Sequence, residues 1–147
     1  MPLRRKRILF LAADGARARF FEGARIGGPL KELRAREMRA APLAPSRARP
    51  ARGHDRLGPA RHAIEPRQTP RAAAEARFAR TVAQATERLA ARYDELVICA
   101  APVFLGQLRE HLAEAVAAKV KMEVPKDYVG QDGPALSAAL AKIALAI

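Results

Sequence analysis

Hydrophobic residues in this chain form two continuous runs, Ile8-Leu9-Phe10-Leu11-Ala12-Ala13 and Leu96-Val97-Ile98-Cys99-Ala100. A run without polar interruption is the pattern of a strand covered on both faces, so both are expected inside a sheet. Asp14-Gly15 follows the first run and suits a two-residue hairpin with positive φ. Ala16 to Glu22 then alternates, with Arg17 and Arg19 on one face and Ala18 and Phe20 on the other. Gly27-Gly28-Pro29 marks a second turn, and the charged stretch Leu30 to Met38 reads as an edge-like third strand or a short helix. Thr69-Pro70 is a helix start, capped by the threonine and opened by the proline, and Phe78, Val82, Ala85 and Leu89 give that helix one apolar stripe. Pro102 opens a second helix with the stripe Leu105, Leu108, Leu112 and Val116. Val120, Met122 and Val124 alternate with Lys119, Lys121 and Glu123 as a strand with one exposed face. Asp132-Gly133-Pro134 starts a last helix carrying Leu136, Leu140, Ile143 and Ile147.

The succession β-β-β-α-β-α-β-α is a meander followed by two crossover units, which makes this an α/β chain. It matches the ribonuclease H-like order: a mixed five-stranded sheet with the first strand central and helices on both faces. Ile8, Phe10, Phe78, Leu96, Ile98, Leu108 and Leu140 are its expected core. At 147 residues the whole chain fits one domain. No apolar stretch approaches the roughly 20 residues of a membrane span. The apolar part of the start, Ile8 to Ala13, is shorter than the ~7–15 residues of a signal-peptide h-region, so it reads as a strand and the expected location is cytoplasmic. The lone Cys99 excludes an intramolecular disulfide.

Charge changes this picture most. Of the formal +12, Arg4-Arg5-Lys6-Arg7 carries +4 and the stretch 39–71 carries +6, whereas residues 72–147 are neutral. Pro42, Pro45, Pro50, Pro59, Pro66 and Pro70 punctuate that second stretch with almost no large apolar residues, so residues of about 40–68 read as an irregular basic arm. Within it, residues of about 40–62 are expected to be the most mobile internal segment. Arginine supplies 21 of the 27 basic residues, and its planar fork holds phosphate oxygens in pairs. Arg47, Arg49, Arg52, Arg56 and Arg61 are therefore candidate contacts to a polyanion, RNA or the ribosome first among them. A compositional bias of the chain, with the arm a solvated loop, explains the same arginines.

Catalytic and cofactor chemistry finds less support. Ribonuclease H-type hydrolysis needs several carboxylates on two metal ions. Asp14 follows the first strand, but Ala100 and Ala101 stand where a second acid is wanted, with Glu75 at uncertain distance. His54, His62 and His111 lack metal-ligand spacing, so no metal is expected. Cys99 sits mid-strand as a buried, inert thiol, and no glycine-rich phosphate loop follows a strand into a helix, so no cofactor is expected.

Five blocks resemble one family in order and over nearly the whole chain: Leu11 to Phe21, Arg61-His62-Ala63-Ile64-Glu65-Pro66, Glu75 to Arg80, Leu96 to Arg109, and Glu123-Val124-Pro125-Lys126-Asp127. They look like the bacterial host attachment protein family, named for a role in attachment to host cells and grouped with bacterial relatives of the archaeo-eukaryotic release factor middle domain. The resemblance implies a ribonuclease H-like fold and work at the ribosome, and it singles out Asp14, Arg17, Arg19, His62, Glu65 and Arg77 as polar candidates. The family's Asp-x-Pro-Gly-Arg segment is only partly matched by Asp55-Arg56-Leu57-Gly58-Pro59, and the release-factor Gly-Gly-Gln loop only by Gly106-Gln107, read here as a solvent-facing helix position. The resulting expectation is a non-catalytic RNA- or ribosome-associated binding domain. The alternatives are an accessory factor for attachment through a protein or polysaccharide partner, and a hydrolase with a cryptic site near Asp14, Arg17, Glu65 and Arg77.

Overall fold

A computed structural model of the chain describes residues 5–42 and 69–146. Strand β1 (Ile8–Ala13) is buried along its whole length. It pairs antiparallel with β2 (Arg17–Gly23) and parallel with β5 (Glu95–Ala100), and β5 pairs parallel with β6 (Val120–Val124). Two short strands, β3 (Lys31–Glu32) and β4 (Met38–Arg39), lie antiparallel to β2. The sheet is mixed and six-stranded, in the order β3-β2-β1-β5-β6 with β4 also on β2. β1 is therefore central, as its apolar run predicts.

Alternate residues of each central strand serve two cores. Leu9, Leu11, Ile98 and Leu96 meet α1 (Pro70–Ala90), α2 (Pro102–His111) and the short α3 (Glu114–Ala117), whereas Ile8, Phe10, Val97 and Cys99 meet α4 (Gly133–Ala146). Helices cover both faces, and all seven expected core residues are buried. At the start of α1 the Thr69 hydroxyl accepts the Ala72 N–H at 3.0 Å, with Pro70 in the first turn.

Four details differ from the sequence expectations, each for a local reason. The third strand is two strands: from Phe21 to Ala18 on β2 is three steps, whereas from Glu32 to Met38 on its partner is six. The surplus residues leave as a 3-10 turn, Arg34–Arg36, which raises the strand count from five to six. The β1–β2 hairpin has no positive φ at Gly15; among the described residues Gly27, at φ +88°, is the one with that conformation. The turn is held instead by Asp14 Oδ1, which accepts the N–H groups of Ala16 at 2.8 Å and Arg17 at 2.9 Å. The Leu105-to-Val116 stripe is not one helix, because Leu112 is extended and Glu87 Oε2 accepts the Ala113 N–H at 3.0 Å; Leu112 and Val116 still reach the same core. In β6 the register shifts so that Val120 faces Leu96 and Met122 faces Val97, which leaves Lys121 as an extra residue. Val120 then joins one core and Met122 and Val124 the other, so the strand's alternation does not define one exposed face.

Candidate functional site

Three arginines from the basic and family segments serve the fold. Arg19, one of the polar candidates, is buried, 7% exposed. Its Nε and Nη2 donate to Glu32 at 3.0 and 2.8 Å, while Nη1 donates to the carbonyls of Val129 at 2.8 Å and Gln131 at 2.7 Å. It thus ties β2 to β3 and to the connection between β6 and α4. The hydrogen bond from Arg19 pulls the Glu32 carboxyl below its ordinary range, and the same bond raises the Arg19 guanidinium. Arg17 Nε donates to Glu37 Oε2 at 3.0 Å. Arg7 lies 4.6 Å from the Tyr93 ring centroid and donates to the Arg92 carbonyl at 3.1 Å, and its backbone N–H donates to Asp94. Tyr93 donates to Glu22 at 2.5 Å, and burial pushes its phenol up to about 12.

Helix α1 presents a second set. Its buried side is Phe78, Ala79, Val82, Ala83, Thr86, Leu89 and Ala90. The flank beside it, Arg71, Ala74, Phe78, Thr81, Ala85, Arg88 and Arg92, recurs at three- and four-residue steps and lines three adjoining cavities of about 440, 380 and 410 Å³. The opposite wall is the segment 35–42, which pairs with β2 through Met38 and Arg39. Ala40, Ala41, Pro42 and Ala74 border the first two cavities and Met38 the last two, so the three form one groove along α1.

The groove is positive. Arg36, Arg39, Arg71, Arg77, Arg88 and Arg92 line it against Asp14, Glu37 and Glu75. Each of those acids is already engaged: Asp14 in its turn, Glu37 Oε2 at 3.0 Å from both Arg17 and Arg39, and Glu75 at 3.6 Å from Arg71. Arg36, Arg77, Arg88 and Arg92 are exposed and have no ion pair with the described residues. The end of α1 does not occupy them either. Lys119 Nζ donates to the carbonyls of Ala90 at 2.7 Å and Tyr93 at 3.0 Å, and Arg7 takes that of Arg92.

At the mouth of the first cavity Asp14 and Glu75 come together around Gly15, where a Cβ would stand 2.7 Å from Glu75 Oε2. Gly15 is thus matched to a close approach rather than to a turn conformation. Ala101 lines the same cavity, and among the described residues no group of three His, Cys, Asp or Glu could hold a metal ion. Cys99 is fully buried and desolvation pushes its thiol up to about 12, leaving it protonated at neutral pH. His111 is exposed at the end of α2. Gln107 is half-buried, not solvent-facing, and its Oε1 is buried with no hydrogen-bond partner among the described residues.

Of the sequence candidates, the structure brings Asp14 and Arg77 to the groove and gives Arg17 and Arg19 to the sheet edge. Arg47, Arg49, Arg52, Arg56, Arg61, His54, His62, Glu65 and the mobility expected of the arm lie outside the described residues. Sequence reasoning missed Arg36, Arg88 and Arg92. A signal existed in α1: Arg88 has Gln84 four residues before it and Arg92 has Arg88, so neither has an acid where a helical ion pair would need one.

Residues 9–140 match the family model described as protein required for attachment to host cells. No curated protein matches the chain. Among the described residues no helix is long and apolar enough to cross a membrane.

Proposed function

From a chain that belongs to the family of proteins required for attachment to host cells, we propose a binding domain for single-stranded RNA, free or in the ribosome, that acts without catalysis. The observation that carries this reading is the groove along α1, with six arginines of which Arg36, Arg77, Arg88 and Arg92 have no ion-pair partner among the described residues. Guanidinium groups set along a furrow suit successive phosphates, and an apolar floor of Met38, Ala85 and Leu89 suits ribose or base. The same reading takes Arg47, Arg49, Arg52, Arg56 and Arg61, which lie outside the described residues, as further phosphate contacts. The ribonuclease H-like assignment and the release-factor grouping belong to the same reading; a meander followed by two crossover units supports the first, and motif resemblance supports the second.

The family description favours a second reading, an accessory role in host attachment in which the groove takes an acidic protein or polysaccharide. Co-sedimentation with ribosomes and titration of a labelled single-stranded RNA, both across a salt series, separate the two. RNA binding predicts affinity that falls steeply with salt and, after replacement of the five arm arginines by Ala, a log–log slope flatter by about 3.5, at about 0.7 per lost phosphate contact. No RNA affinity at low salt overturns the RNA reading and moves attachment to first place.

A further inference from the structure

The cavity at the far end of the groove gathers more arginines than either of the other two. Arg36, Arg88 and Arg92 line its walls, and the one carboxylate among its described lining residues, Glu37, is held between Arg17 and Arg39. Arg88 lies in the last turn of α1 and Arg92 two residues past its end, so two cations stand close together where the helix stops. Neither side chain is needed to satisfy the carbonyls there, since Lys119 and Arg7 already take those of Ala90, Arg92 and Tyr93. With those carbonyls occupied, the negative end of the α1 dipole is also muted where an anion would sit. The cavity measures about 410 Å³, and Met38, Ala85 and Leu89 form an apolar floor over the buried Phe20.

Three guanidinium groups exceed what one phosphodiester calls for, since an internal phosphate of a strand carries a single charge. A phosphate monoester carries about −1.5 to −2 at neutral pH and offers three strong acceptor oxygens. We propose that this cavity is a pocket for a nucleotide bearing a phosphate monoester, the phosphorylated end of an RNA strand or a free nucleotide. The three arginines hold the monoester, and the apolar floor holds the attached ribose and base. This inference rests on the RNA reading for its choice of nucleotide, but it concerns one subsite and fails separately.

The test measures binding of one RNA oligonucleotide prepared with a 5′-phosphate, with a 3′-phosphate and with hydroxyls at both ends, alongside a nucleoside monophosphate. The full chain is compared with the Arg88→Ala/Arg92→Ala variant and, from the opposite wall, Arg36→Ala, with thermal unfolding to establish that each variant is folded. One phosphorylated form is expected to bind about tenfold or more tightly than the hydroxyl form, the effect of a lost charge-assisted hydrogen bond. Either variant should abolish that preference while weakening the hydroxyl form only a few-fold. Equal binding of all three oligonucleotides overturns the pocket and leaves the RNA reading standing. Binding of the nucleoside monophosphate alone, lost in the variants, supports the pocket and overturns the RNA reading. Binding of none of the probes overturns both.

Discussion

The arginines of β2 and those of the α1 groove are the same side chain under opposite conditions. Arg19 is enclosed, and its donors end on Glu32 and on two carbonyls more than a hundred positions along the chain. Arg88 and Arg92 stand in solvent, and their neighbours, Arg36 included, repel them. Formal charge does not distinguish the two sets. What distinguishes them is whether each N–H already has an acceptor, because a satisfied guanidinium fixes the fold and an unsatisfied one is available to a ligand. Lys6 and Arg7 of the basic start join the first set, since they reach Glu95 and Glu22.

The largest expected effect breaks the architectural member. Arg19→Ala leaves Glu32 and two carbonyls without their donor, and urea denaturation should show a loss of about 3 kcal/mol, the cost of removing one partner of a buried pair. Arg88→Ala should stay within about 0.5 kcal/mol of the parent, as an exposed site with no ion pair among the described residues does. Equal losses would erase the distinction between the two sets.

Acid sharpens the same contrast. Because Arg19 holds the Glu32 pKa below its ordinary value, Glu32 contributes stability that is present above about pH 4.3 and is lost as pH falls through the depressed folded value. The stability gap between the parent and Glu32→Gln should therefore narrow on acidification; a constant gap would show that the pair is not coupled. In alkali the sign reverses for Tyr93. Its folded pKa is raised to about 12, so its contribution is full below about 10 and disappears as pH climbs toward 12. Tyrosinate absorbance should show one late-ionising phenol that Tyr93→Phe removes, and a late phenol that survives would contradict the assignment.

The smallest expected effect is a gain. Removing Arg92 relieves its repulsion with Arg88, so Arg92→Ala should match or exceed the parent by a few tenths of a kcal/mol in thermal unfolding at low salt. A clear loss would mean that Arg92 has structural work.

What the sequence made legible follows from range. The runs at Ile8 to Ala13 and Leu96 to Ala100 and the stripe of α1 carry their own burial pattern, so the central strands, both helical layers and the core could be read from neighbours in the chain. The split of β3 from β4 and the register shift at Lys121 depend on counting residues against a partner strand, which no local periodicity encodes. The same holds for the candidate site. Asp14 and Arg77 were found through motif resemblance, but the groove forms only when the segment 35–42 is laid beside residues 71–92. Arg19 and Arg77 looked alike in sequence because the acceptors that separate them, Val129 and Gln131, lie more than a hundred positions away from Arg19.

The central claim is that the groove arginines without an ion pair among the described residues contact phosphates, and fluorescence anisotropy of a labelled single-stranded RNA across a salt series tests it most directly. The parent is compared with the variant in which Arg36, Arg77, Arg88 and Arg92 are all Ala. Four lost contacts should flatten the slope of log K against log salt by about 3, at about 0.7 each, with unfolding free energy close to that of the parent. A folded variant that binds with the parent's affinity and salt slope would contradict the account.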